Sequence, residues 1–215
     1  MTRPLPTEKA LLNGPDGNIE VLIDAPATVR GIALVAHPHP LFGGANTNKV
    51  AHTLARAFRD MGFATLRPNF RGVGQSEGQH DHGGAETEDL LAVLAWSQSR
   101  WGSLPIGLGG FSFGAFVQTR VAARLAPGVT PPERVILVGT AAGEVTGARS
   151  YTTEAVPAGS LIIHGENDET VHLQNVLDWA RPQELPVVVV PGADHFFHGK
   201  LHVIRDIIAQ RWQPL

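Results

Sequence analysis

A three-layer α/β fold is what this sequence predicts: a mostly parallel eight-stranded sheet, opened by an antiparallel strand pair and covered by helices on both faces. Two observations predict it. Short β-branched or aliphatic runs alternate with longer segments of helical period, the pattern of parallel strands joined by crossover helices. The first two apolar runs are separated only by Asn13-Gly14-Pro15-Asp16-Gly17, a turn-forming cluster that sends the chain back antiparallel. The 215 residues are 43% hydrophobic and 17% charged, which suits one domain over residues 1–215 with a substantial core and excludes a disordered chain.

The elements follow in order. Residues 10–12 and 19–23 form the opening pair; buried strands are expected at 32–36, 64–67, 106–109, 135–138, 161–164 and 187–190. Between them, Val50, Leu54, Phe58 and Met61 recur at three or four over residues 48–61, and Gly62 stops that helix. Residues 88–101 carry Leu90, Leu91 and Leu94, and residues 113–125 carry Phe116, Val117, Val121 and Leu125. A weaker helical pattern covers 168–180, and a last helix runs over about 199–212 with Leu201, Ile204, Ile207 and Ile208 inward. The segment 140–160 is only 21 residues long, too short for a helical lid domain.

Composition excludes several functions. Seventeen Lys and Arg against 20 Asp and Glu give a net charge of −3 with no basic run, which argues against nucleic acid as a partner. The absence of cysteine excludes disulfides, thiolate-held zinc and a cysteine nucleophile. No apolar run approaches the length of a membrane span and the first residues lack an apolar leader, so a cytoplasmic protein without membrane insertion is expected.

Chemistry concentrates in Gly110-Phe111-Ser112-Phe113-Gly114, a G-x-S-x-G pentapeptide between a buried strand and a helix. In a chain with 24 glycines the bare pentapeptide is a weak signal; the strand before it and the helix after it give it meaning. The sharp turn lifts the Ser112 hydroxyl above the sheet's carboxyl edge and aims the first helical N–H, that of Phe113, at a developing oxyanion. A serine hydroxyl needs a base, and the base an orienting acid. The loop after strand 161–164 reads Gly165-Glu166-Asn167-Asp168-Glu169, and the loop after strand 187–190 contains Gly192-Ala193-Asp194-His195-Phe196-Phe197-His198. Both open on the carboxyl edge of the sheet, where such sheets place their sites. Asp168 is the expected acid and His195 the expected base, with Glu166, Glu169 and Asp194 as rivals for the first role and His164 and His198 for the second. The second oxyanion donor is expected from His37-Pro38-His39-Pro40-Leu41-Phe42-Gly43-Gly44; Pro40 has no N–H, which leaves the amides of His39 and Leu41. His37, His39, His80 and His82 invite a metal reading, but no carboxylate at ligand spacing accompanies them, so neither a metal nor another cofactor is expected.

Taken together, the 37–44 loop, Asn69-Phe70-Arg71-Gly72-Val73-Gly74-Gln75-Ser76-Glu77-Gly78, the serine turn, His164-Gly165-Glu166-Asn167-Asp168 and the 192–198 loop resemble the α/β-hydrolase superfamily, in particular its small lidless bacterial, dienelactone-hydrolase-like members. The resemblance covers nearly the whole chain. It implies a Ser112–Asp168–His195 triad and a structural role for the 71–78 turn, with Arg71 fixing neighbouring loops. Dienelactone hydrolase activity itself is not implied, because those enzymes use cysteine. The expected function is a serine hydrolase of short acyl esters with an open site that Phe42, Tyr151 and Phe196, with Phe113, could line. A thioesterase or serine aminopeptidase on the same triad is the alternative within the class, and a binding protein that keeps the fold is the alternative outside it.

Overall fold

The computed structural model describes residues 6–125, 131–147 and 149–212; the N-terminal residues 1–5, where a leader would begin, lie outside the described residues. An antiparallel pair opens the chain: β1 (Glu8–Gly14) and β2 (Gly17–Asp24) meet across Pro15-Asp16 with Gly14 opposite Gly17. Gly17 takes φ 106°, a conformation open to glycine at little cost. The chain then alternates through β3 (Gly31–Ala36), α1 (Lys49–Asp60), β4 (Phe63–Pro68), α2 (Gly84–Trp101), β5 (Ile106–Phe111), α3 (Phe113–Leu125) and β6 (Arg134–Val138). After a small antiparallel hairpin, β7 (Gly143–Val145) and β8 (Arg149–Tyr151), come β9 (Leu161–Gly165), α4 (Leu173–Ala180), β10 (Val187–Val190) and α5 (Leu201–Arg211).

Eight strands form one sheet in the order β1-β2-β4-β3-β5-β6-β9-β10. From β4 to β10 every neighbouring pair is parallel; β2 joins β4 antiparallel. β3 to β6 and β9 are buried throughout, which is why they read as short runs rich in apolar residues, with Thr65, Arg67, Arg134 and His164 as buried polar exceptions. On one face α1 and α5 pack Leu54, Phe58, Ile204 and Ile208 against Ala33, Val35, Ile136 and Ile163. On the other, Leu90, Val117, Val121 and Val176 from α2, α3 and α4 pack against Ile32, Leu34, Leu108 and Leu137. The fold is the lidless three-layer architecture the sequence predicts: only the β7–β8 hairpin and its flanks separate β6 from β9.

Beyond shifts of a residue or two at element ends, three features differ from expectation. The helix expected over 168–180 begins at Leu173, because Asp168 turns its carboxylate onto the amides of Thr170 (2.9 Å) and Val171 (2.8 Å) and holds that stretch as a turn. α2 begins at Gly84, four residues before the start expected from its apolar stripe; buried Glu86 accepts from the Gly83 and Asp81 amides, both at 2.8 Å, and starts the helix early. The β7–β8 hairpin lies in a segment for which the sequence predicts no strand. Elsewhere the signals hold: Asn48 caps α1 through the amides of Val50 and Ala51, and Gly62 follows its end at φ 95°. Among the described residues no helix is long and apolar enough to cross a membrane.

Candidate active site

β5 ends at Phe111 and α3 begins at Phe113, so Ser112 alone makes the turn, at φ 56°. A non-glycine residue in that region stores on the order of 1–3 kcal/mol of strain, held here by surrounding bonds. The Ser112 amide donates to Val138 O at the end of β6 (2.9 Å), and its carbonyl accepts from the Phe116 amide (3.1 Å). The two flanking glycines are required by space. A Cβ at Gly110 would lie 2.5 Å from the Ala115 Cα, and one at Gly114 would lie 2.5 Å from the Ala36 carbonyl oxygen, with His37 O also in the way. α3 can therefore start directly against the end of β3.

His195 Nε2 lies 3.1 Å from Ser112 Oγ, and His195 Nδ1 lies 2.7 Å from Asp168 Oδ2. All three side chains are buried. The other carboxylate oxygen, Oδ1, is the one that accepts the two amides of the 170–171 turn, so the acid is fixed at both ends. The loops that carry Asp168 and His195 are stitched together: Asn167 N donates to Ala193 O (2.9 Å), and Gly192 N donates to Glu166 Oε2 (2.7 Å). Phe111 and Phe196 pack on the His195 ring at 4.9 and 5.1 Å between centroids.

The rivals take other roles. Glu166 is the strut just described, and Asp194 pairs with His198 on the surface at 2.6 Å. The Glu169 carbonyl accepts from Thr146 Oγ1 (2.7 Å). His164 is wholly buried behind the acid, 3.6 Å from Asp168 Oδ2, and donates from Nε2 to Val171 O (2.9 Å); burial pushes its pKa down. A rival for the base in the sequence, it is packed against Asp168 in the structure.

The 37–44 loop approaches from β3. Buried His37 donates from Nδ1 to Pro38 O (2.7 Å) and accepts at Nε2 from the Phe70 amide (2.9 Å), tying this loop to the 69–78 turn. Burial lowers its pKa to about 4. Pro40–Phe42 forms a single 3-10 turn in which the Leu41 amide donates to His39 Nδ1 at 3.3 Å. Of the two expected oxyanion donors, Leu41 is thus occupied, whereas the amides of His39 and Phe113 have no acceptor among the described residues. Arg71 ties its turn to helix α2 and to the β1–β2 turn, with two bonds to Asp89 (2.7 and 3.0 Å) and one to Asp16 (3.0 Å).

Beside Phe113 and His39 opens a cavity of about 550 Å³. Phe42 and Tyr151 line it, and Phe196 lines a separate hollow with Thr47 and Asn48. Phe113 belongs to both core and cavity wall. Sequence reasoning missed Arg120 and Arg149, which also line the cavity. No signal marks either residue, since the β7–β8 hairpin that carries Arg149 is itself short and polar. His39, His80 and His82 stack with centroids 4.7–4.9 Å apart, yet among the described residues no group of three or more His, Asp or Glu side chains is arranged to hold a metal ion.

A buried serine on a strained strand-to-helix turn, hydrogen-bonded to a histidine that is hydrogen-bonded to an aspartate, defines a class: the α/β serine hydrolases without a lid. Comparison with known proteins agrees. The chain belongs to this superfamily through the family described as X-Pro dipeptidyl-peptidase (S15 family), whose model matches residues 18–131. XC6422 from Xanthomonas campestris, an α/β serine hydrolase without a lid, superposes with a TM-score of 0.85 and 36% identity over 100% of this chain and 99% of its own. A Rickettsia prowazekii protein, RP471, is 33% identical over 87% of this chain and 81% of its own. The lysophosphatidylserine lipase ABHD12 of Xenopus tropicalis is 34% identical over 45% of this chain, but only 25% of its own length is covered.

Proposed function

We propose that the protein is a carboxylesterase acting on short acyl esters through Ser112, His195 and Asp168. The observation that carries this reading is the continuous hydrogen-bonded chain from Ser112 Oγ through the His195 ring to Asp168. As Ser112 Oγ forms its bond to the acyl carbon, His195 Nε2 takes the hydroxyl proton, and Asp168 holds the ring with Nδ1–H toward the carboxylate. The carbonyl oxygen becomes an oxyanion facing the free amides of Phe113 and His39; a donor so placed is worth roughly 3 kcal/mol in the transition state. Collapse breaks the bond to the leaving oxygen, which receives the proton from His195. Water then repeats the sequence on the acyl-serine, releasing the acid and restoring Ser112 Oγ–H.

Esters, thioesters and peptides all pass through this intermediate. An ester is favoured because the fold has no lid and, among the described residues, no carboxylate lines the cavity beside Phe113 and His39. Removal of N-terminal residues from a peptide calls for a group that neutralises the terminal ammonium, and the two arginines there do the reverse. The likeness to a lysophosphatidylserine lipase, whose named substrate is an acyl ester, supports the same choice. The S15 family match makes a serine peptidase the second reading. The test is initial-rate hydrolysis of short 4-nitrophenyl esters, matched thioesters and Ala-Pro-4-nitroanilide. Ester turnover that disappears in Ser112→Ala supports the proposal. Cleavage of the anilide at an equal or higher kcat/KM overturns it in favour of the peptidase.

A further inference from the structure

The cavity beside Ser112 has an uneven charge. Its floor is aromatic: Phe113 and Phe116 lie 5.9 Å apart between centroids, and Tyr151 packs on Phe116 at 4.9 Å. Two guanidinium groups stand over this apolar surface, Arg149 at 4.3 Å from the Phe42 ring and Arg120 at 5.7 Å from the Phe116 ring. Neither is paired with a carboxylate among the described residues; Arg149 donates only to the Thr146 carbonyl and to Tyr151. This contrasts with Arg67, Arg71, Arg100 and Arg124, each of which meets an acid. The third polar feature is His80. Its side chain is 6% exposed, and Nε2 is buried with no protein partner. The Glu86 carboxylate behind His80, 2.8 Å from its Nδ1, is already taken up by the Asp81 and Gly83 amides. Two cations without a carboxylate partner thus line a hollow whose wall includes Phe113, the residue after Ser112, and among the described residues no acid lines it.

We propose that this cavity selects substrates bearing an anionic group, a carboxylate or a phosphate, with Arg149 and Arg120 as its charge partners. The inference rests on the ester reading above and names the class of ester. A guanidinium over an aromatic wall is partly desolvated, so an anion reaching it gains more than it would from a fully hydrated surface arginine. The anion can belong to the acyl chain or to the leaving alcohol, and the two give different matched pairs. For the acyl arm the pair is mono(4-nitrophenyl) adipate against 4-nitrophenyl hexanoate. For the alcohol arm it is butyryl-glycerol 3-phosphate against monobutyrylglycerol.

In at least one pair the anionic member is expected to exceed its neutral twin in kcat/KM by about tenfold, mostly through KM. That advantage shrinks as salt is raised to about 0.5 M, and Arg149→Gln and Arg120→Gln each reduce the anionic-to-neutral ratio by about fivefold. A neutral ester preferred in both pairs, or a ratio unmoved by both substitutions, overturns the anion proposal alone and leaves the ester reading standing. Failure of the wild-type protein to turn over any of the four esters overturns both.

Discussion

Replacing Asp168 by Asn separates the acid's charge and hydrogen-bond polarity from its shape. The two side chains have the same outline, so the outcome depends on which end of the amide faces which neighbour. Asp168 Oδ1 accepts from the Thr170 and Val171 amides at 2.9 and 2.8 Å, and two N–H donors cannot face an –NH2 group. The oxygen of the introduced carboxamide is therefore fixed toward the turn, and its –NH2 must occupy the Oδ2 position, 2.7 Å from His195 Nδ1. A donor there forces Nδ1 to accept, which places the ring proton on Nε2, facing Ser112 Oγ. In that tautomer His195 cannot take the serine proton. The same tautomer error in a Ser-His-Asp triad lowers kcat by about 10⁴, or roughly 5.4 kcal/mol of barrier. The assay is single-turnover release of 4-nitrophenol, with thermal unfolding as the control for an intact fold. A folded D168N protein that keeps kcat within about tenfold of wild type would refute the reasoning.

Three further outcomes follow from the geometry. Gly114→Ala puts a methyl group against the Ala36 and His37 carbonyls, which cannot move without separating α3 from β3; a loss of about 3 kcal/mol and of most activity is expected by denaturant unfolding and ester hydrolysis. His37 is held neutral by burial with its pKa lowered from the ordinary 6.5 to about 4, so its contribution is intact above pH 6.5 and is lost as pH falls toward 4. Between about pH 7 and pH 4.5 wild type should lose about 2–3 kcal/mol more than His37→Gln in urea titrations, and equal losses would contradict the assignment. Arg71→Ala strands the buried Asp89 carboxylate, with an expected cost of about 3–5 kcal/mol that Asp89→Asn in the same background should partly restore.

Much of the fold and the site is legible in the sequence because the informative features are local. The buried strands carry short runs rich in aliphatic residues, and the glycines of the serine turn are demanded by contacts within five residues or with the adjoining strand, so the motif and its context read together. That Asp168 and His195 lie close to Ser112 is legible because loops leaving parallel strands at one edge converge. What escapes the sequence depends on tertiary contacts. The β7–β8 hairpin has three-residue strands without alternation, and nothing in Arg149-Ser150-Tyr151 announces a strand or a cavity wall. The start of α4 is displaced because a side chain competes with the helix for its first amides, and α2 begins early because Glu86 collects two amides of the loop before it. Arg120 sits in a helix whose sequence signal is its apolar stripe, and periodicity says nothing about a cation beside that stripe.

The central claim is that Ser112 is an activated nucleophile, and the direct test is covalent capture. Purified protein and its Ser112→Ala variant are incubated with a fluorophosphonate and weighed by intact-protein mass spectrometry. The account predicts one phosphonyl adduct on wild type, located to Ser112 by peptide mapping, and none on the variant. A folded wild-type protein that remains unmodified, or a Ser112→Ala variant that is labelled equally, would contradict it.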